Sequence, residues 1–224
     1  MSYLLQNYSV KDKKLANAAK RAGFVLAPSR KGLLRQKRSK MLKEQEGTSR
    51  AIMLIGSTGF RTFADSRADL HEVIKNCREA KIMLLNPFSK GASICATSIP
   101  DPAVTMDHFQ KQIQKSIEFL KDLNQIKIHK NLRLKLYNDV PFLKLTMLGD
   151  YIWVQHYHPG MDVKIMPEYV FKHNRKSRGF CAFFHQYFLS RWNDPTITEY
   201  DFDDQDFLAE LRSQMQTHHW KGCQ

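Results

Sequence analysis

Cysteine is scarce and scattered in this chain: Cys77, Cys95, Cys181 and Cys223 occur with no CxxC spacing among them. That argues against a zinc ribbon and against a disulfide framework, so the thiols are expected to be reduced and no metal centre or cofactor is expected. Also missing is any run of about 18 apolar residues, the length a membrane-spanning helix needs. The opening "MSYLLQNYSVKDKK" has no apolar stretch of signal-peptide length followed by a small-residue cleavage site. A soluble, cytoplasmic protein that does not enter a membrane is the expectation. Acids are few near the start: residues 1–50 hold three (Asp12, Glu44, Glu46) against thirteen Lys or Arg, a net of +10. The whole chain carries +13, so the rest contributes only +3. The basic character belongs to the N-terminal segment.

What is present is an apolar fraction of 42% with 11% aromatics, the composition of a folded globular protein and not of a disordered one. A length of 224 residues suits one sizeable core with an appended segment. Three regions are expected: a basic helical extension over 1–48, an α/β domain over 49–195 and an acidic C-terminal helical tail over 196–224. In the extension, "VKDKKLANAAKRAGF" has small or apolar residues at helical spacing and a Gly stop. "APSRKGLLRQKRSKMLKEQ" offers a second cationic helix with Ser29 as cap. Two short helices around a Gly-containing break suggest a helix-turn-helix, but that unit needs a third helix and more apolar positions than the segment supplies. Its cations Lys13, Lys14, Lys20, Arg21, Arg30, Lys31, Arg35, Lys37, Arg38 and Lys40 are candidates for phosphate contact.

After Thr48 the pattern alternates. "AIMLIG" and "KIMLLNP" read as buried parallel strands, joined by the loop "GSTGFRTF" and a helix capped by Ser66, which makes a βαβ unit. "KGASICATSIPDPA" reads as a loop, and "TMDHFQKQIQKSIEFLKDLNQ" as an amphipathic helix. "LRLKLYN" alternates as a strand, and "FLKLTML" and "YIWVQHY" flank Gly149-Asp150 as a hairpin. "FCAFFHQYFLSRW" is an aromatic helix that must be buried or paired with a partner. The acidic tail either folds back on the cationic head or is a solvated helix start.

This series, with "KIMLLNP", "YNDVPF", the Gly-Asp turn, "YHPG" and the aromatic helix ending in Trp192, resembles the phospholipase D-like superfamily over about residues 50 to 195. It looks most like the degenerate domains of that superfamily that bacteria attach to regulators and defence proteins. The resemblance implies an α/β fold with a mixed sheet flanked by helices, and a His-x-Lys motif followed after four residues by Asp. In the family the His attacks phosphorus and the Lys holds the non-bridging oxygens. Here the motif Lys is Lys144, but the His position is Phe142 and the Asp position is Gly149, with Asp150 one place late. Without an imidazole nucleophile there is no phosphohistidine, and Lys144 is left to bind phosphate as a point charge. The family also implies a homodimer.

Three other clusters carry chemistry. His156 and His158 alternate along one strand, which suits metal ligation or acid–base work with Asp150 or Asp162 as the carboxylate partner; they would be the catalytic residues if the chain is an enzyme. Ser57, Thr58 and Arg61 follow the first parallel strand, where a phosphate can be cradled, although the loop lacks the Walker Lys-Ser/Thr and the GxGxxG spacing. His173, Arg175, Lys176 and Arg178 form a second basic cluster, either a solvated loop or a contact to a phosphate backbone together with the basic head. The expected function is a non-catalytic phosphate binder of nucleic acid or nucleotide, regulatory or defence-related. The alternatives are a diverged phosphodiesterase or nuclease with relocated histidines, and a scaffold whose cationic helices bind an acidic partner.

Overall fold

The computed structural model describes residues 17–26, 33–47, 51–126, 131–158, 161, 166–174, 179–204 and 206–220. Residues 17–21 are helical and stop at Gly23, whose φ of 81° is the left-handed turn a glycine adopts most readily. The chain then enters β1 (Phe24–Leu26), followed by α1 (Leu33–Gly47) and β2 (Ala51–Ile55). Among the described residues the two helical stretches are thus separated by a strand, not by the tight turn of a helix-turn-helix. A π-helical turn (Phe60–Ala64), α2 (His71–Asn76) and β3 (Glu79–Leu85) complete the βαβ unit. The helix expected from Ser66 is shorter than its pattern, because residues 65–70 form turns that lead to Leu70.

The stretch read as a loop contains α3 (Lys90–Ser98), whose Ser89 hydroxyl accepts the Ala92 amide at 3.1 Å. Its buried Gly91, Ala92 and Ala96 are small residues, so the helix packs closely without the large apolar stripe that reveals a helix in sequence. Next come α4 (Met106–Ile126), β4 (Asn131–Tyr137), β5 (Leu143–Leu148), β6 (Tyr151–His156) and β7 (Glu168–Lys172). The chain continues through α5 (Phe180–Trp192), β8 (Thr198–Glu199) and α6 (Phe207–Trp220). Among the described residues no helix is long and apolar enough to cross a membrane, and Cys77, Cys95 and Cys181 are free thiols.

The eight strands form one mixed sheet in the order β1-β7-β6-β5-β2-β3-β4-β8. β2, β3 and β4 are parallel; β2 and β3 lie in the middle of the sheet and read as near-continuous apolar runs, whereas β4 alternates apolar and polar residues and buries Leu132, Leu134 and Leu136. The other pairings are antiparallel. Parts of the chain assigned to the flanking regions join this sheet: β1 pairs with β7 at one margin and β8 with β4 at the other. The acidic tail thus begins at the margin away from β1, where Glu199 takes both ends of the Arg133 fork at 2.6 Å.

Alternation along the strands assigns the faces. Thr146, Trp153 and Val170 lie in one row, on the face covered by α1, while Met147, Ile152 and Phe171 lie in the next, facing α5. On the α1 side, α2 and α4 complete the layer through the stacking of Phe119 on Phe63 and His71. Phe109, Ile113, Ile117, Leu120 and Leu123 of α4 are buried, each contributing roughly 1.5–3 kcal/mol by leaving water.

Candidate functional site

Strand direction gathers the polar residues at one edge. β2, β3, β4 and β6 run one way and β5 and β7 the other, so the carboxyl ends of the first group meet the amino ends of the second. Ser57, Thr58 and Arg61 follow β2, Lys144 lies at the start of β5, His156 ends β6 and His158 stands two residues beyond it. This is the edge where ligands collect in open α/β sheets. The connection through residues 138–142 crosses the ends of β3 and β2 to reach β5, forming one wall.

The β2 loop is held by the strands below it. The Gly56 amide donates to the Met83 carbonyl and the Leu85 amide to the Ser57 carbonyl, each at 3.0 Å, and the Tyr137 hydroxyl donates to the Gly56 carbonyl at 2.8 Å. The Ser57 amide donates to the Tyr157 hydroxyl at 2.9 Å, which in turn donates to the Ser57 hydroxyl at 3.1 Å. Gly59 then turns with φ 73°, and a Cβ there would meet the Phe63 ring at 2.7 Å. The tight turn delivers exposed Arg61 to the rim.

Lys144 lies in a cross-sheet row with Gln155 and Glu168 and beneath Gly56, 3.9 Å from where a Cβ would stand. Burial, then the charge of Lys43, pulls its ammonium from 10.5 down to about 8, against the opposing pull of Glu168 and Asp69. Lys43, from α1, is buried and donates to Glu168 at 3.0 Å and to Asp69 at 3.3 Å. Burial alone lowers the Lys43 ammonium, but the two carboxylates more than reverse this, and its pKa is raised. Ser39 donates to the other Glu168 oxygen at 2.9 Å and accepts from the Trp153 indole at 2.9 Å. Glu168 is therefore committed mainly to α1, and Lys144 feels its charge only from a distance.

Next to this cluster lies a cavity of about 240 Å³ between the β2 loop, α3 and α4. Ser57, Thr58, Arg61, Tyr157 and His158 line one part of it, and Asp101, His108 and Gln112 another. Phe109, Ile99 and Val104 supply apolar wall. Lys144 is outside the lining, electrostatically coupled to Arg61 within it.

The structure separates the proposed catalytic set. His158 lines the cavity, whereas His156 packs edge-on against Phe142 with centroids 4.9 Å apart. Asp150 is in the turn at the opposite end of β6, about 20 Å along the strand from His156. It lines a wider hollow of about 750 Å³ with His173, Cys181 and His185. Phe142, at the motif His position, is 60% exposed. Burial pushes the Cys95 and Cys181 thiols up to about 11, so neither is an activated nucleophile. Burial also raises the Tyr157 phenol, which stays neutral and is no base for Ser57. Among the described residues no three His, Cys, Asp or Glu are grouped to hold a metal ion.

Of the basic candidates, Lys20, Arg21 and Lys40 are exposed. Arg35, Lys37 and Arg38 lie on α1, but their side chains are outside the described residues, as are Lys13, Lys14, Arg30, Lys31, Asp162, Arg175, Lys176 and Arg178 altogether. Sequence reasoning missed Lys43, Glu168, Asp69 and Tyr157. Lys43 is one of thirteen cations in its segment, and the role of Glu168 emerges only from strand register.

The fold and this edge define a mixed α/β protein with a distant phospholipase D-like architecture. The chain is similar to phosphatidylserine synthase from Haemophilus influenzae Rd KW20, a phospholipase D-like superfamily member, at 9% identity and a TM-score of 0.50 over 84% of this chain and 42% of that one. It is also similar to TrmBL2, an archaeal chromatin protein whose structure shows a novel mode of DNA binding, at 12% identity and a TM-score of 0.42 over 81% of this chain and 60% of that one. This chain thus spans less than two thirds of either protein. No family model matches the sequence, and no curated protein matches it.

Proposed function

We propose that the protein is a non-catalytic phospholipase D-like module that binds the phosphates of nucleic acid or a nucleotide at the carboxyl edge of its sheet. The observation that carries this is Lys144 itself, a half-buried lysine whose ammonium burial pulls down to about 8, two residues after an exposed Phe142 that supplies no imidazole. Burial destabilises this lysine's charge, and a bound anion would relieve it. Arg61 adds a second charge, and the basic N-terminal segment supplies longer-range attraction with little sequence information. Lys144→Met and Arg61→Ala should each weaken the binding of a single-stranded oligonucleotide and flatten its salt dependence, with a slope smaller by about 1 for each phosphate left without its cation. Unchanged affinity and slope in both variants would refute the assignment.

A second reading, hydrolysis by a relocated histidine, draws on the presence of His158 and His108 in the lining of the same cavity, on different elements. It requires cleavage of a phosphodiester substrate by the intact protein and its loss in His158→Ala.

A further inference from the structure

We infer that the cavity of about 240 Å³ beside the β2 loop takes one nucleoside monophosphate, either free or as the phosphorylated end of a strand. This rests on the phosphate-binding reading above and names the ligand unit that the cavity recognises.

Size sets the first limit. Pockets for drug-sized ligands run from roughly 300 to 1,000 Å³. A smaller space admits a single base and sugar and excludes a duplex or a length of strand. The distribution of chemistry sets the second. Among the described residues of the lining, Arg61 is the one guanidinium and Asp101 the one carboxylate, and they come from different elements. Arg61 is exposed at the rim, with the Ser57 and Thr58 hydroxyls on the same loop and Lys144 adding positive potential from outside the lining. An anionic group belongs there. One Asp101 oxygen accepts the Ala103 amide at 3.0 Å, and the Gln112 amide nitrogen meets His108 Nε2 at 2.8 Å. The second Asp101 oxygen and the Gln112 amide oxygen are therefore the acceptors suited to the edge of a heterocycle, whose exocyclic and ring N–H groups pair with a carboxylate or amide oxygen. Buried Phe109 and the neighbouring Ile99 and Val104 provide an apolar surface for the ring face. A phosphate alone leaves that apolar wall unused, and an alkyl chain offers no polar group to Asp101 or Arg61.

The test uses the full chain in titration calorimetry with the four common nucleoside 5′-monophosphates, their nucleosides and inorganic phosphate. A short single-stranded oligonucleotide, with and without a 5′-phosphate, completes the probe set. At least one monophosphate, or the phosphorylated strand end, should bind one per chain and about tenfold or more tighter than the matching nucleoside, inorganic phosphate or unphosphorylated strand. Ile94→Trp and Val140→Trp place bulk at the mouth from exposed positions and should each weaken that binding about tenfold or more. Two such variants guard against one misfolding, and circular dichroism checks both. A free nucleotide that binds identifies a soluble ligand; preference for the phosphorylated strand identifies a strand end. If neither exceeds inorganic phosphate, or both Trp variants bind as the parent does, the inference is overturned. In that case oligonucleotide binding that still falls in Lys144→Met leaves the phosphate reading standing, whereas no binding by the parent protein removes both.

Discussion

Replacing Lys144 with Met should stabilise the fold while impairing the site. Burial and the nearby Lys43 lower the Lys144 ammonium from 10.5 to about 8, and each pH unit of such a difference corresponds to about 1.4 kcal/mol. Holding the charge in the folded state at pH 7 therefore costs on the order of 3 kcal/mol. Between pH 8 and 10.5 the folded protein has released this proton while the unfolded chain still holds it. The unfolded state binds more protons there, so the Lys144 contribution to stability rises with pH across that window. Below about pH 8 the cost is present in full. Lys144→Met removes the charge but keeps a flexible apolar stem, while giving up the attraction to Glu168 and Asp69. The variant should exceed the parent by about 1–3 kcal/mol at pH 7, with the difference shrinking toward zero by about pH 10.5. Urea denaturation of both proteins across that pH range measures it. A variant less stable than the parent at pH 7, or a difference independent of pH, would refute the reasoning. Binding of an anion should also draw protons into the parent above about pH 8, read as buffer-dependent heats in calorimetry.

Lys43→Met should act in the opposite direction, because it strands the partly buried Glu168 carboxylate with Ser39 as its remaining hydrogen-bond partner. A destabilisation of about 3 kcal/mol is expected, at the lower end of the range for breaking a buried pair, since Lys144 in the same row takes part of the charge. Urea denaturation at pH 7 checks it. Gly91→Ala should both destabilise the fold and weaken anion binding. Its Cβ would collide with the backbone oxygen of Asn138 and meet that of Asp139 at 2.6 Å, pushing the 138–142 connection off the site edge. The expected cost is about 1–3 kcal/mol by thermal melting, and retention of parental stability would show that the connection yields freely.

Much of the sheet was legible because its strands are short apolar runs or alternate strictly: "AIMLI" and "KIMLL" of the first kind and "LRLKLY" of the second all became strands, and Gly149-Asp150 became the hairpin turn. The long helix was legible from its stripe of Phe109 to Leu123. α3 was not, since a helix that buries Gly91, Ala92 and Ala96 has no large apolar period. β1 was hidden by its length, three residues that pair only with the distant β7. At the candidate site, Ser57, Thr58 and Arg61 were singled out because they follow the first parallel strand, and Lys144 through the motif resemblance; the structure puts all four at the same edge of the sheet. The pairing of His156 with Asp150 failed because a hairpin places its turn and its open end on opposite edges. The Lys43–Glu168–Asp69 cluster is invisible locally: its members are separated by up to 125 positions and meet only through strand register and helix docking.

The most direct test of the central claim is to incubate the protein with end-labelled single-stranded DNA and RNA over a salt series, with and without divalent metal ions, scoring retention and cleavage together. The account requires binding that weakens steeply with salt, is reduced in Lys144→Met, and leaves every strand intact. Cleavage by the parent protein that disappears in His158→Ala, or affinity that does not change with salt, would contradict it.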